Sequence, residues 1–310
     1  MGAVVSIHPD RRGLRLEAPA KINIGLKVLG KDESGFHQLE THFAAVGLYD
    51  VLTVARAEEG LELVVEGAEL GDPRDNLVYR AAAAFLAEAE VAEGARMTLE
   101  KAIPAGAGLG GGSSDAAATL KLLNRLHDNP LSEVDLSVIG RSLGADVPFF
   151  LCPSPCAFGF DRGDRLVAID RLPESPIVLA LPPIHVATAD AYAMLAASRG
   201  GANTFTMDEH EVVNVRTMPD WDGATKDAAN DFEEVIFDRH PSLGVLRNEI
   251  EEAGAFLARL SGSGAAVFGL FDDGEVAAAA AEKLAESFPE VSFVATETLT
   301  AWPQTHLARG

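Results

Sequence analysis

Along the first 150 residues the apolar positions switch between a period of two and a period near 3.6, which predicts strands interleaved with helices. Residues 14–28 read as a strand, and from Ile22 the alternation is strict. Ile22, Ile24, Leu26 and Val28 fall on one face, and Lys21, Asn23, Gly25 and Lys27 on the other. Lys21 and Asn23 therefore point the same way. Residues 50–55, 61–65 and 96–101 read as further strands. Residues 76–89 and 133–143 read as helices, the second ending at Gly144 as a C-cap. A third helix is predicted after a glycine-rich loop, where Ala116, Leu120, Leu123 and Leu126 recur at helical spacing. The texture changes after Gly144, and a connecting hairpin is expected. Beyond it come a strand at 176–181, a helix at 189–197 capped by Thr188, and a polar, irregular stretch at 200–222. Helical patterns then cover 230–237 and 243–252. Strands at 255–260 and 265–271 flank the turn Ser261-Gly262-Ser263-Gly264, and a last helix covers 275–287. The pattern predicts two domains, 14–170 and 171–310, behind an N-terminal extension of residues 1–13.

The loop itself runs Pro104, Ala105, Gly106, Ala107, Gly108, Leu109, Gly110, Gly111, Gly112, Ser113, Ser114. Glycines at this density let several backbone N–H groups turn toward one point with no Cβ to obstruct a bulky anion. The helix that follows, with Ser113, Ser114 and Asp115 as candidate caps, adds unpaired N–H groups and a partial positive charge. Together these make a phosphate cradle. It is not a Walker loop, because the pattern G-x-x-x-x-G-K-S/T is missing. It is not a dinucleotide fingerprint either, because no buried parallel strand precedes it and no suitable acid follows about 20 residues on. A flexible linker would share the glycine content, but linkers seldom run straight into a capped amphipathic helix.

Charge sharpens this picture. The 310-residue chain carries 47 acidic and 25 basic residues, a net charge of −22, which argues against nucleic-acid and anionic-membrane partners. A phosphate site in so acidic a chain needs its own positive groups, which draws attention to lysines near the glycines. No apolar run approaches 18 residues, and the first 12 residues lack an apolar core followed by a cleavage site, so a soluble cytoplasmic protein is expected. Cys152 and Cys156 lack nearby His or Cys partners for a zinc site and read as two reduced thiols; no metal-ligating set is predicted. Arg162-Gly163-Asp164 spells an adhesion tripeptide, but a turn between strands is the expected reading.

Three blocks together resemble the GHMP kinase superfamily. They are Ala18-Pro19-Ala20-Lys21-Ile22-Asn23 with Gly35-Phe36-His37-Gln38-Leu39, the loop at 104–118, and Gly144-Ala145-Asp146-Val147-Pro148-Phe149. Asn230-Asp231-Phe232-Glu233 and Leu260-Ser261-Gly262-Ser263-Gly264-Ala265 add support, so the resemblance spans about residues 14–295. It implies an α+β fold of two domains, a ribosomal-protein-S5-like α/β N-terminal domain and a ferredoxin-like α+β C-terminal domain, acting with ATP and Mg²⁺. The first block is similar to the branch that phosphorylates the 2-hydroxyl of 4-diphosphocytidyl-2-C-methyl-D-erythritol on the non-mevalonate route to isoprenoid precursors. In that family Asp146 would take the proton of the attacking hydroxyl, and Lys21 would hold that hydroxyl and offset phosphate charge. An ion pair between them would keep Asp146 ionised. Phe36 and His37 match the positions that grip cytosine, with phenylalanine where the family commonly has tyrosine; a satisfied structural histidine is the other reading of His37. Asn23, Thr188, Gly262 and Gly264 are expected on the substrate side, and Ser113 or Ser114 could give one oxygen to Mg²⁺. A kinase of another alcohol, such as homoserine or mevalonate, and a silent ligand sensor stay open. Lys21 argues against homoserine kinases, which lack the equivalent strand lysine, and the Lys21/Asp146 pair argues against a silent sensor, which needs no base. A monomer or homodimer is expected.

Overall fold

Two long strands, β1 (Leu14–Lys31) and β2 (His37–Ala57), pair antiparallel over most of their length in the computed structural model, which describes residues 13–31, 37–169, 172–200, 220–226 and 228–308. Phe36 and residues 201–219 of the expected polar excursion lie outside these. The chain continues through β3 (Leu61–Glu66), α1 (Leu77–Glu88), β4 (Gly94–Glu100), α2 (Gly111–Leu126), α3 (Glu133–Leu143), α4 (Val147–Leu151), β5 (Cys156–Phe160) and β6 (Arg165–Ala168). The second half holds β7 (Pro176–Leu181), α5 (Thr188–Ser198), α6 (Trp221–Thr225), α7 (Glu233–Arg239), α8 (Pro241–Glu252), β8 (Leu257–Leu260), β9 (Val267–Leu270), α9 (Gly274–Ser287), β10 (Ser292–Glu297) and β11 (His306–Leu307).

Local chemistry explains the helix ends. Asn76 accepts from Val78 N at 2.9 Å to start α1, whose Val78, Ala81, Ala82 and Phe85 are buried at i, i+3, i+4, i+7. Ser132 and Asp135 close a reciprocal capping box on α3, and Asp273 accepts from Glu275 N and Val276 N at α9. Two caps differ from the sequence expectation. The N-cap of α2 is Gly110, so Ser113 and Ser114 sit inside the first turn and Asp115 just beyond it. Thr188 is the first residue of α5, with Ala187 before it, and its hydroxyl goes elsewhere.

The first sheet has the order β11-β1-β2-β4-β3, with β5 also on β2 and β6 on β5. Register shifts at Pro19/Ala20, Asn23/Gly25 and Val28/Gly30 bend the β1–β2 ribbon, so one stretch of β2 pairs β4 and another pairs β5. The shift at Pro19/Ala20 also exchanges faces. Leu16 and Ala18 pack with α2, whereas Ala20, Ile22 and Ile24 turn to the opposite core, which leaves Lys21 and Asn23 facing the start of α2. The second sheet, order β10-β7-β9-β8, is antiparallel and carries α8 and α9 in its two crossovers, the ferredoxin-like arrangement.

One core lies between each sheet and its helices. A third joins the sheets, setting Ile22, Ile24 and Val46 against Ile177, Leu179 and Phe268. After β10 the chain crosses back: Thr298 bridges Val46, Leu299 N donates to Ala45 O at 2.9 Å, and β11 pairs with Leu14 and Arg15 of β1.

Candidate active site

The face of β1 that carries Lys21 and Asn23 is closed over by protein, and both side chains are buried, at 3% and 2% exposure. An ammonium there must spend its donors on protein atoms. Lys21 Nζ donates to Asn23 Oδ1 at 2.5 Å and to Gly108 O at 2.7 Å, and stands 3.7 Å from Asp146 Oδ2. Asn23 is itself oriented, because its Nδ2 donates to Thr41 Oγ1 at 2.7 Å and Thr41 donates to Gly25 O at 2.9 Å. Burial lowers the Lys21 pKa, while the Asp146 charge and hydrogen bond push it back up. Asp146 precedes α4, makes no capping bond, and has a side chain 34% exposed, so its carboxylate stays open to the cleft.

The glycine loop is shaped by close contacts as well as by the space it leaves. Gly108 has φ +77°, and a Cβ there would stand 2.0 Å from Ser261 O. Ser261 Oγ donates to Gly108 O at 2.9 Å and Ala266 N to Ala107 O at 3.0 Å, locking the first glycine loop onto the second. Gly262, at φ +58°, brings that second loop against Asn23 and Lys21. At α2 no side chain caps the helix, so the N–H groups of its first turn are left for a ligand in the cleft. Ser113 lines this cleft of about 590 Å³. Ser114 does not: it lines a small cavity of about 20 Å³ behind α2, and its buried hydroxyl has no partner.

On the substrate side, Thr188 Oγ1 lies 3.2 Å from Ser263 Oγ, joining α5 to the second loop. His37 stacks on Tyr192 at 4.2 Å, and Tyr192 meets Phe232 edge-on at 4.9 Å. Burial, helped by the Asp146 charge, pushes the Tyr192 phenol up to about 12. Arg162 sits on the β5–β6 turn, as its tripeptide predicted, and lines the cleft. Of the residues expected at the site, the structure thus gathers Lys21, Asn23, Asp146, Thr188, Gly262, Ser113 and the loop from Pro104 to Gly112 around one cleft, with His37 stacked against its edge. Gly264 (φ +87°) turns the second loop toward β9 beneath it.

Sequence reasoning missed Tyr192, Phe232 and Ser263, and also a buried charge cluster under the loop. Lys101 Nζ donates to Asp50 and, at 2.9 Å, to Asp115; Asp50 Oδ1 accepts from Ala102 N and Ile103 N at 2.6 and 2.9 Å. The position of Lys101, directly before the loop, was the one available signal. Cys152 and Cys156 are free and buried, and burial raises both thiols, Cys156 to about 12. Among the described residues no helix is long and apolar enough to cross a membrane.

The model for the GHMP kinase N-terminal domain matches residues 76–154, and that for the GHMP kinase C-terminal domain residues 219–290. A 4-diphosphocytidyl-2-C-methyl-D-erythritol kinase of Solibacter usitatus is 40% identical over 276 residues, covering 89% of this chain and 86% of the relative. One from Moorella thermoacetica is 39% identical over 92% of this chain and 99% of its own length. Among solved structures, a 4-(cytidine 5'-diphospho)-2C-methyl-D-erythritol kinase superposes with TM-score 0.75 at 34% identity, covering 92% of this chain and 98% of that one. A homoserine kinase from Cytophaga hutchinsonii shares the fold at 18% identity and TM-score 0.65, with 99% and 100% covered.

Proposed function

The chain belongs to the 4-diphosphocytidyl-2-C-methyl-D-erythritol kinases of the GHMP family, and from that premise we propose how its cleft performs the transfer. The enzyme moves a phosphoryl group from ATP to the 2-hydroxyl of 4-diphosphocytidyl-2-C-methyl-D-erythritol, a step of isoprenoid precursor synthesis by the non-mevalonate route. The observation that carries the site assignment is the buried Lys21 ammonium, pinned between Asn23 and Gly108 O with Asp146 3.7 Å away, beside the uncapped start of α2.

Phosphoryl transfer asks a protein for in-line positioning and charge cancellation more than for covalent chemistry. Gly106 to Ser113 hold the ATP phosphates by backbone N–H groups. Asp146 accepts the proton of the substrate hydroxyl at its carboxylate oxygen, and Lys21 orients that hydroxyl and offsets the charge that builds on the transferred group. Ser114 gives the phosphates no direct contact, since its N–H donates to Gly110 O at 2.9 Å and its hydroxyl faces away. Mg²⁺ would come with the nucleotide, and Ser113, at the start of α2 on the cleft, offers it one neutral oxygen. When bound, it neutralises phosphate charge. His37 and Tyr192 offer stacked rings to the cytosine, with Phe36 beside His37 in sequence, and Thr188, Asn23, Gly262 and Gly264 shape the methylerythritol side. The first domain, 14–170, carries the nucleotide and the second, 171–310, the wall opposite. One chain supplies every residue named, so a monomer suffices in the cytoplasm.

Asp146→Asn tests this reading. It lowers kcat by about 10² or more at nearly unchanged ATP affinity, and unchanged turnover removes Asp146 from the mechanism. Homoserine and mevalonate, run in parallel for ADP release, give none; turnover with either discards the cytosine-side assignment.

A further inference from the structure

Behind the Lys21–Asp146 pair, away from the cleft, the returning C-terminal segment places an indole. Trp302 Nε1 donates to Cys152 O at 2.7 Å, directly past the end of α4. Its ring lies 5.5 Å from Phe149 at 67° and 6.2 Å from Phe150. Lys121, from α2, holds its Nζ 4.9 Å over the same ring and donates to Phe150 O at 2.6 Å. Thus α4 is gripped at its far end by a tail residue and by α2.

That grip matters because α4 has only five residues, and Asp146 stands at its start with no capping bond of its own. A helix so short has little stiffness of its own and takes its direction from what it packs against. Phe150 extends the same support to the other partner. A Cβ at Gly110 would lie 3.2 Å from Phe150 Cε2 and 2.9 Å from Lys21 Cγ, so the phenyl ring and the lysine stem flank one backbone position.

We propose that Trp302 is a positioning residue for phosphoryl transfer: by holding the end of α4, the C-terminal segment sets where Asp146 stands relative to Lys21. The proposal rests on the proton-accepting role of Asp146. A displacement of about 1 Å at a reacting group costs on the order of 10²-fold in rate, so loss of the Trp302 contact appears in kcat before it appears in binding.

The test is a double-substitution cycle on the full-length enzyme. Trp302→Phe keeps a ring and removes the Nε1 donor; Trp302→Ala removes both. The expected result is a kcat lower by about tenfold for Trp302→Phe, and lower still for Trp302→Ala, with KM for ATP and for the cytidylyl substrate within about twofold. In an Asp146→Asn background the same Trp302→Phe change moves the residual kcat by less than about twofold, because the group it positions is already gone. A purely structural role lowers the melting temperature and changes kcat by equal factors in both backgrounds, and that result overturns the proposal. So does an unchanged kcat in Trp302→Phe, which carries the test alone where Trp302→Ala fails to fold. The failure of the Asp146 reading is distinct: Asp146→Asn alone then leaves kcat intact.

Discussion

At Asp115 burial dominates, raising its carboxyl to about 7 with the Lys101 ammonium opposing and the Asp50 charge adding to the rise. A carboxyl that keeps its proton in the folded state but gives it up in the unfolded chain near pH 4 stabilises most at low pH. Its contribution is lost as pH climbs from about 4 to 7. His42 does the reverse. Buried, stacked on Phe158 and 3.3 Å from the Cys156 sulfur, it titrates at about 4 in place of 6.5, so its contribution is lost as pH falls through that window. Urea midpoints measured from pH 4 to 7 separate the two. Asp115→Asn makes stability rise more steeply with pH than in the parent, and His42→Gln makes it rise less steeply. A variant profile parallel to the parent's excludes the corresponding group.

The elements legible in the sequence are those whose ends are fixed by neighbours. Asn76, Ser132 and Asp273 cap their helices within three residues, so α1, α3 and α9 could be placed almost to the residue. The start of α2 could not, because the nearby polar residues suggested caps while the helix leaves its first N–H groups open and sends Asp115 to Lys101. β2 was recognised only at 50–55, since many positions in 41–46 are buried on both faces and show no alternation. Lys21, Asn23 and Asp146 were found through motif; Asp50, Tyr192 and Ser263 come from distant segments that only the fold brings near. The two glycine loops act as one element. Gly108→Ala forces a Cβ against Ser261 O at a positive φ, so it costs roughly 1–3 kcal/mol of stability and loosens both loops. A lower melting temperature with a raised KM for ATP and for the cytidylyl substrate is the expected readout; a rise for ATP alone means that the loops move independently.

Over the whole molecule, a net charge of −22 repels itself at low salt, while the cleft lysines Lys21 and Lys101 are held beside carboxylates. Screening is therefore expected to raise the melting temperature by several degrees, about 5 °C, between 0.05 and 1 M KCl; a flat response means that the acidic groups stand too far apart to repel. The pairing of β11 with β1 has a consequence for the order in which the molecule can be finished. Leu14 and Arg15 leave the ribosome before the rest of their sheet, and their partners Leu307 and His306 follow about 290 residues later, tens of seconds at roughly 5–20 residues per second. Until then the strand that bears Lys21 has an unpaired edge at its start, and the short helix behind Asp146 lacks its indole. A nascent chain therefore carries every residue of the phosphate loop well before it can hold the pair that uses it, and competence waits for the segment from Trp302 to Leu307.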